Sequence, residues 1–171
     1  MYAVSKTVDD VIDALADFLT PFVDGAEIVR AQQNRVPMPA TPCVVLTELF
    51  EDDLSVPSVA YDPQAETQAI KGPTKIDVQV DFYAPNAGDF CKAVKGVWRT
   101  EYSASVFPDW IKPLYCDKGI QSPLITGEQQ WESRWTLTVS LQYNPVVTVP
   151  QQYAGELTAR VINVDVKYPP N

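Results

Sequence analysis

A chain of 171 residues, 46% hydrophobic and 20% charged, suits one globular domain with a sizeable core, and it contains no histidine. Without imidazole there is no Ser-His-Asp triad, no Cys-His nucleophile, no histidine metal ligand and no histidine acid or base near neutral pH. Thirteen Lys and Arg against 22 Asp and Glu leave a formal net charge of -9, a field that repels phosphate backbones and anionic membranes alike.

Along the chain, Val8, Val11, Ile12, Leu15, Phe18, Leu19 and Phe22 recur every three or four residues, which predicts an amphipathic helix. Thr7, with Asp10 three positions on, supplies its start, and Pro21 and Gly25 supply its end. Asp9, Asp13 and Asp17 form an i, i+4 series on the outer face, either a stripe for a cation or basic partner or a solvated face. A short strand over Ala26 to Ala31 follows, then a loop stiffened by Pro37, Pro39 and Pro42, then a strand from Cys43 to Leu49. Residues 50–73 mix acidic and turn residues, Glu51, Asp52, Asp53, Pro57, Asp62 and Pro63, around a short strand at Ser58 to Tyr61. They lack the apolar content for a core of their own. They read as a projecting hairpin or arm that a partner surface orders, or as a plain surface loop.

Lys75 to Tyr83 alternates strictly, with Ile76, Val78, Val80 and Phe82 on one side and Lys75, Asp77, Gln79 and Asp81 on the other. That predicts a strand with one buried and one wet face. Asn86, with Asp89 at the third position, is the expected cap of a second helix whose buried stripe is Ala87, Phe90, Cys91, Val94, Val97 and Trp98. After an aromatic, proline-containing stretch from Phe107 to Tyr115, Trp131 to Tyr143 alternates over 13 residues, long for a strand when about five or six is usual. Pro145 and Pro150 lead to a last strand, Leu157 to Val166, whose apolar phase slips between Val161 and Ile162 as at a bulge. Clustered antiparallel strands with two helices against one face predict an α+β two-layer domain, with no internal repeat and no domain boundary in residues 1–171.

Few chemistries fit this residue set. Cys43, Cys91 and Cys116 have no metal-ligand spacing and read as reduced thiols made in a cytosol; Cys91, on an apolar stripe, is a core thiol. The seven glycines never approach phosphate-cradling spacing. The first ten residues carry no signal-peptide pattern, and nowhere do 18 apolar residues run together. Asp77 and Asp81 share a strand face at roughly 13 Å, counting ~3.3 Å per residue, beyond the ~5 to 9.5 Å of glycosidase pairs. Glu132 and Arg134 suit a cross-strand ion pair. No catalytic residue, cofactor or metal site is expected. Arg30, Arg35, Arg99, Arg134 and Arg160 are candidate contacts for acidic patches such as Glu51, Asp52 and Asp53 on a neighbouring copy.

The run Arg30 to Pro39, continuing through Pro42 into a strand, resembles the first half of tailed-phage tail terminator, or neck terminator, proteins. The strand ending Asp81, Phe82, Tyr83, followed at once by a helix at Asn86, resembles their middle, and Arg134 to Tyr143 resembles their third part. After the aromatic pair this chain has Ala84 and Pro85 where such proteins often have glycine. The resemblance implies a mixed sheet with helices packed on one side, which joins the reading above in an α+β fold: a mixed, mostly antiparallel sheet with two helices on one face and a projecting hairpin or arm. It implies a structural virion protein, not an enzyme, assembled in the host cytoplasm. Such a protein forms a homo-hexameric ring at the head-proximal end of the tail tube, ends tube growth and joins head to tail. Its partners would be the tube protein, head-completion or neck proteins and, in contractile tails, sheath, with DNA passing through unbound. The residues leave open another tail subunit (tube or baseplate), a carboxylate-dependent hydrolase or a cytosolic binding module with Phe107 to Tyr115 as its pocket.

Overall fold

Thr7 begins the first helix as the sequence predicts: its side chain accepts from the Asp10 backbone N–H, and the Asp10 carboxylate accepts from the Thr7 N–H at 2.8 Å. This reciprocal cap satisfies two donors that no helical carbonyl can reach. The computed structural model describes residues 3–32, 37–122, 124–125, 131–152 and 158–160. In chain order the elements are β1 (Ala3–Val4), α1 (Val8–Leu19), a 3-10 turn (Thr20–Phe22), β2 (Glu27–Arg30), β3 (Cys43–Asp53), β4 (Ser58–Asp62), β5 (Thr67–Lys71) and β6 (Thr74–Tyr83). Then come α2 (Ala87–Val97), α3 (Glu101–Val106), β7 (Ile111–Cys116), β8 (Ile120–Gln121), β9 (Leu124–Ile125), β10 (Trp131–Glu132), β11 (Arg134–Tyr143) and β12 (Val146–Pro150). Gly25, at φ +69°, makes the left-handed turn that sends the chain from the helix layer into β2.

The main sheet runs β2-β3-β6-β11-β7, with β8 also on β11; β2 is parallel to β3 and the remaining pairs are antiparallel. The fold is therefore α+β with a mixed, mostly antiparallel sheet. The helices cover the face that carries Val44, Leu46, Ile76, Val78, Val80, Phe82, Leu137, Val139 and Leu141, all buried in one core with Val11, Leu15, Phe90 and Val94. At its centre Phe18 stacks on Phe107 at 4.6 Å, and Trp98 meets both rings edge-on. The Trp98 indole donates to the Tyr115 carbonyl at 3.0 Å. Gly119 leaves room for Cys91 of α2 and for the Trp135 ring, because a β-carbon there would lie 2.5 Å from the Cys91 sulfur.

Four sequence expectations need correction. Asn86 occupies the start of α2, but its side chain makes no capping bond. The long strand from Trp131 breaks at Ser133: Trp131 and Glu132 pair with β9 in a separate two-stranded ribbon, and Trp131 stays 72% exposed. The stretch from Phe107 to Tyr115 ends in an edge strand preceded by a short helix; Phe107 and Ile111 belong to the core, and Pro108 and Trp110 line a groove against α1. The outer face of β6 is not wet: Asp77 and Asp81 are only 5% and 3% exposed. Of the expected last strand, Leu157 and residues 161–166 lie outside the described residues, and 158–160 have no regular structure.

At one end of the main sheet, three of its strands run on into a second sheet. β3 leads to β4, β5 leads to β6, and β11 leads to β12, giving the order β1-β12-β5-β4. Gly72 N–H to the Pro145 carbonyl and Leu54 N–H to the Pro73 carbonyl stitch the junction at 3.2 and 2.9 Å. The hairpin of residues 50–73 is thus braced along β12.

Candidate functional site

Two surfaces stand out once the core is accounted for. The first is the outer face of the main sheet, where polar side chains close on one another. Register places Arg134, Thr136 and Ser140 of β11 beside Tyr83, Asp81 and Asp77 of β6. The Asp81 carboxylate accepts from Arg134 through Nε at 3.1 Å and Nη2 at 2.8 Å, from Thr136 at 2.5 Å and from Gln79 at 2.7 Å. Asp77 accepts from Ser140 and pairs with Lys75 at 3.1 Å; Lys75 also reaches Asp52 at 3.3 Å and lies over the Phe50 ring. Arg134 lies over the Tyr83 ring. Among the described residues no buried side-chain polar atom lacks a partner, which is what a dry polar layer requires. Alternation predicted the facing but not the burial. Long side chains folded across their own sheet exclude water where no helix does.

These carboxylates bind strands together. Both are engaged by donors, and the three thiols are all pushed up in pKa, burial being the first cause, so none is poised as a nucleophile. Among the described residues no three His, Cys, Asp or Glu side chains gather as a metal site would need. Two further groups give the fold a pH signature. Hydrogen bonding to Asp77 holds the Lys75 ammonium well above its ordinary 10.5, and burial, with the 2.6 Å bond to Glu51, holds the Tyr143 phenol above 10.0. A group whose pKa rises on folding adds stability that is complete below its unfolded value and is lost as pH climbs past it. The melting temperature should therefore hold from pH 7 to about 9 and fall above about 10. A thermal melt series across that range checks this, and Tyr143→Phe should flatten part of the decline.

The second surface is the arm. Across its four strands Val4, Val147, Ile70 and Val59 stand in one row and Val149, Gln68 and Tyr61 in the next, all on one face. No residue of β4, β5 or β12 is buried; Val59 is 56% and nearby Val56 88% exposed. An apolar sheet face of this kind marks an interaction surface.

The predicted contact residues divide accordingly. Arg30 pairs with Asp9 and with Glu48 at 2.7 Å, and Arg134 with Asp81, so within one chain neither meets residues 51–53. Glu51 is held by Tyr143 and Asp52 by Lys75, while Asp53, at the end of β3, and Arg160 are exposed. Arg35 lies outside the described residues. What the sequence reading missed is the apolar row of the arm, half of which comes from β12 and β1.

A sheet with a polar outer layer, helices on the other face and a braced arm is a frame for assembly, and family comparison decides which one. The family model described as phage neck terminator protein matches residues 9–170. The chain belongs to the phage neck terminator family. The terminator is accordingly a structural protein of the phage tail and not an enzyme. Its fold is similar to that of the PVC sheath/tube terminator of an extracellular contractile injection system in the extended state, with a TM-score of 0.54 and 15% identity. That similarity covers 97% of this chain and 66% of the other, so the terminator spans just under two thirds of its structural neighbour. Among curated proteins no sequence matches it. No helix of the described residues is long and apolar enough to cross a membrane.

Proposed function

We propose that six copies of this terminator close into a ring on the head-proximal end of the tail tube. The ring ends tube polymerisation and presents the surface on which head-completion or neck proteins dock, and in a contractile tail it also meets sheath. The reading rests on the family match over residues 9–170, and the similarity to a sheath/tube terminator supports tube and sheath as contacts. The partly exposed apolar face of the arm is the feature of one chain that most needs a neighbour. Six copies at -9 each carry a formal charge of -54, so a ring of them repels the phosphate backbone and lets DNA pass without adhering.

Native mass spectrometry and negative-stain microscopy of the full chain, alone and with purified tube protein, test this. Closed six-membered rings that cap tubes and shorten them are expected. A chain that stays monomeric with and without tube protein counts against the ring; one that grows long tubes by itself is a tube subunit instead.

A further inference from the structure

With 22 acidic and 13 basic residues, a cation on this chain is surrounded by an excess of carboxylates. Arg30, Lys75, Lys112 and Arg134 are paired with them. Of the seven other described cations, four gather on the β7 side of the main sheet, on α2, which packs over β11 and β6, and in the turn after β7. Lys92, Lys95 and Arg99 follow i, i+3, i+7 spacing, so they share the outer face of α2 and its end, turned away from buried Phe90, Cys91, Val94 and Trp98. Cys91 of the same helix packs against Gly119, which brings α2 beside the turn after β7 where Lys118 stands. All four are exposed, and neither Asp89, Glu101 nor Asp117 forms an ion pair with any of them. Strand β7, with Pro113 in it, is blunted against strand addition. This side offers charge rather than backbone.

The opposite edge is its complement. Strand β2 ends the main sheet on that side, with Asp24 and Glu27 exposed on or beside it. Asp13 of α1 lines the groove between that helix and β2, where the single described cation, Arg30, is already engaged by Asp9 and Glu48. Opposite charge on opposite sides of one domain favours a head-to-tail contact, the heterologous kind that closes into rings. A DNA partner fits the basic stripe less well, because the whole chain at -9 repels it before contact.

We propose that the stripe of Lys92, Lys95, Arg99 and Lys118 docks on the acidic β2 edge, Asp13, Asp24 and Glu27, of the next copy. The inference rests on the ring reading and names the surfaces that meet in it. Self-association then weakens steeply with salt, and reversing either edge weakens it by about a hundredfold or more, since juxtaposed like charges oppose docking.

The test uses two full-length variants, K92E/K95E/R99E and D13K/D24K/E27K, with circular dichroism to establish that each is folded. Each alone should be monomeric by native mass spectrometry where the wild type assembles. Mixed together they should assemble in a 1:1 ratio, because every contact in the mixture is again between opposite charges. A variant that assembles like the wild type, or a mixture that stays monomeric, overturns the proposal. So does a basic stripe whose reversal leaves assembly intact and abolishes retention of a DNA duplex at physiological salt. If the wild type forms rings and the variants do too, the ring stands and these surfaces fall. If the wild type forms open chains that the variants abolish, the surfaces stand and the ring falls. If nothing assembles, both fall.

Discussion

Asp81→Ala is expected to destabilise the fold by about 3 kcal/mol in chemical denaturation. Removing one partner of a buried ion pair leaves the other uncompensated, at about 3–5 kcal/mol when both are fully dry. Arg134 keeps 27% of its side-chain exposure, which lets water take over part of the load and places the value at the lower end. The Thr136 hydroxyl and the Gln79 amide lose their acceptor in the same change. Asp81→Asn, which preserves shape and an acceptor, should cost roughly half as much. The paired replacement Asp81→Leu with Arg134→Met should cost less than Asp81→Ala alone, because two apolar side chains leave no orphan charge. A loss below about 1 kcal/mol for Asp81→Ala would mean the polar layer contributes position and little stability.

Trp98→Ala strikes the other face of the same sheet. Trp98 is fully buried, is touched edge-on by Phe18 and Phe107, and its indole N–H satisfies the Tyr115 carbonyl. Large-to-small replacement of a buried aromatic costs about 3–5 kcal/mol, which for a chain of this size lowers the melting temperature by roughly 10 °C. Trp98→Phe separates the contributions: it keeps most of the packing, removes the N–H and should cost about 1–2 kcal/mol. A near-neutral Trp98→Ala would show that the two phenylalanines collapse into the space and that the α1–α2–α3 seam is less rigid than its close ring contacts suggest.

Local signals carried much of the fold. The threonine cap of α1, its apolar stripe, the stripe of α2 and the alternation of β6 and β11 all lie within a few residues of one another in sequence, and each was legible there. Tertiary signals were not. Val146 to Pro150 reads as a proline-bounded linker until Lys71 and Ile70 are placed beside it, and Ile111 to Cys116 is demoted by Pro113 although an edge strand accepts proline. Asp77 and Asp81 read as wet because period two reports which face a side chain takes, not what lies across that face. The same limit hid the candidate surfaces. The apolar row of the arm is assembled from four separate stretches of chain, and the charge asymmetry of the domain from α2 and the turn after β7 on one side and from α1 and β2 on the other. Only register and strand order bring them together.

The continuation of β3, β6 and β11 into β4, β5 and β12 has a mechanical consequence. A load applied at the tip of the arm enters the body along three adjacent covalent strands. Pulled lengthwise, the ladders between them resist in shear, many hydrogen bonds sharing the force at once, instead of opening one after another as a peeled hairpin does. The arm behaves as a cantilever clamped in the sheet, and tension at its end strains the central strands before it can detach the tip.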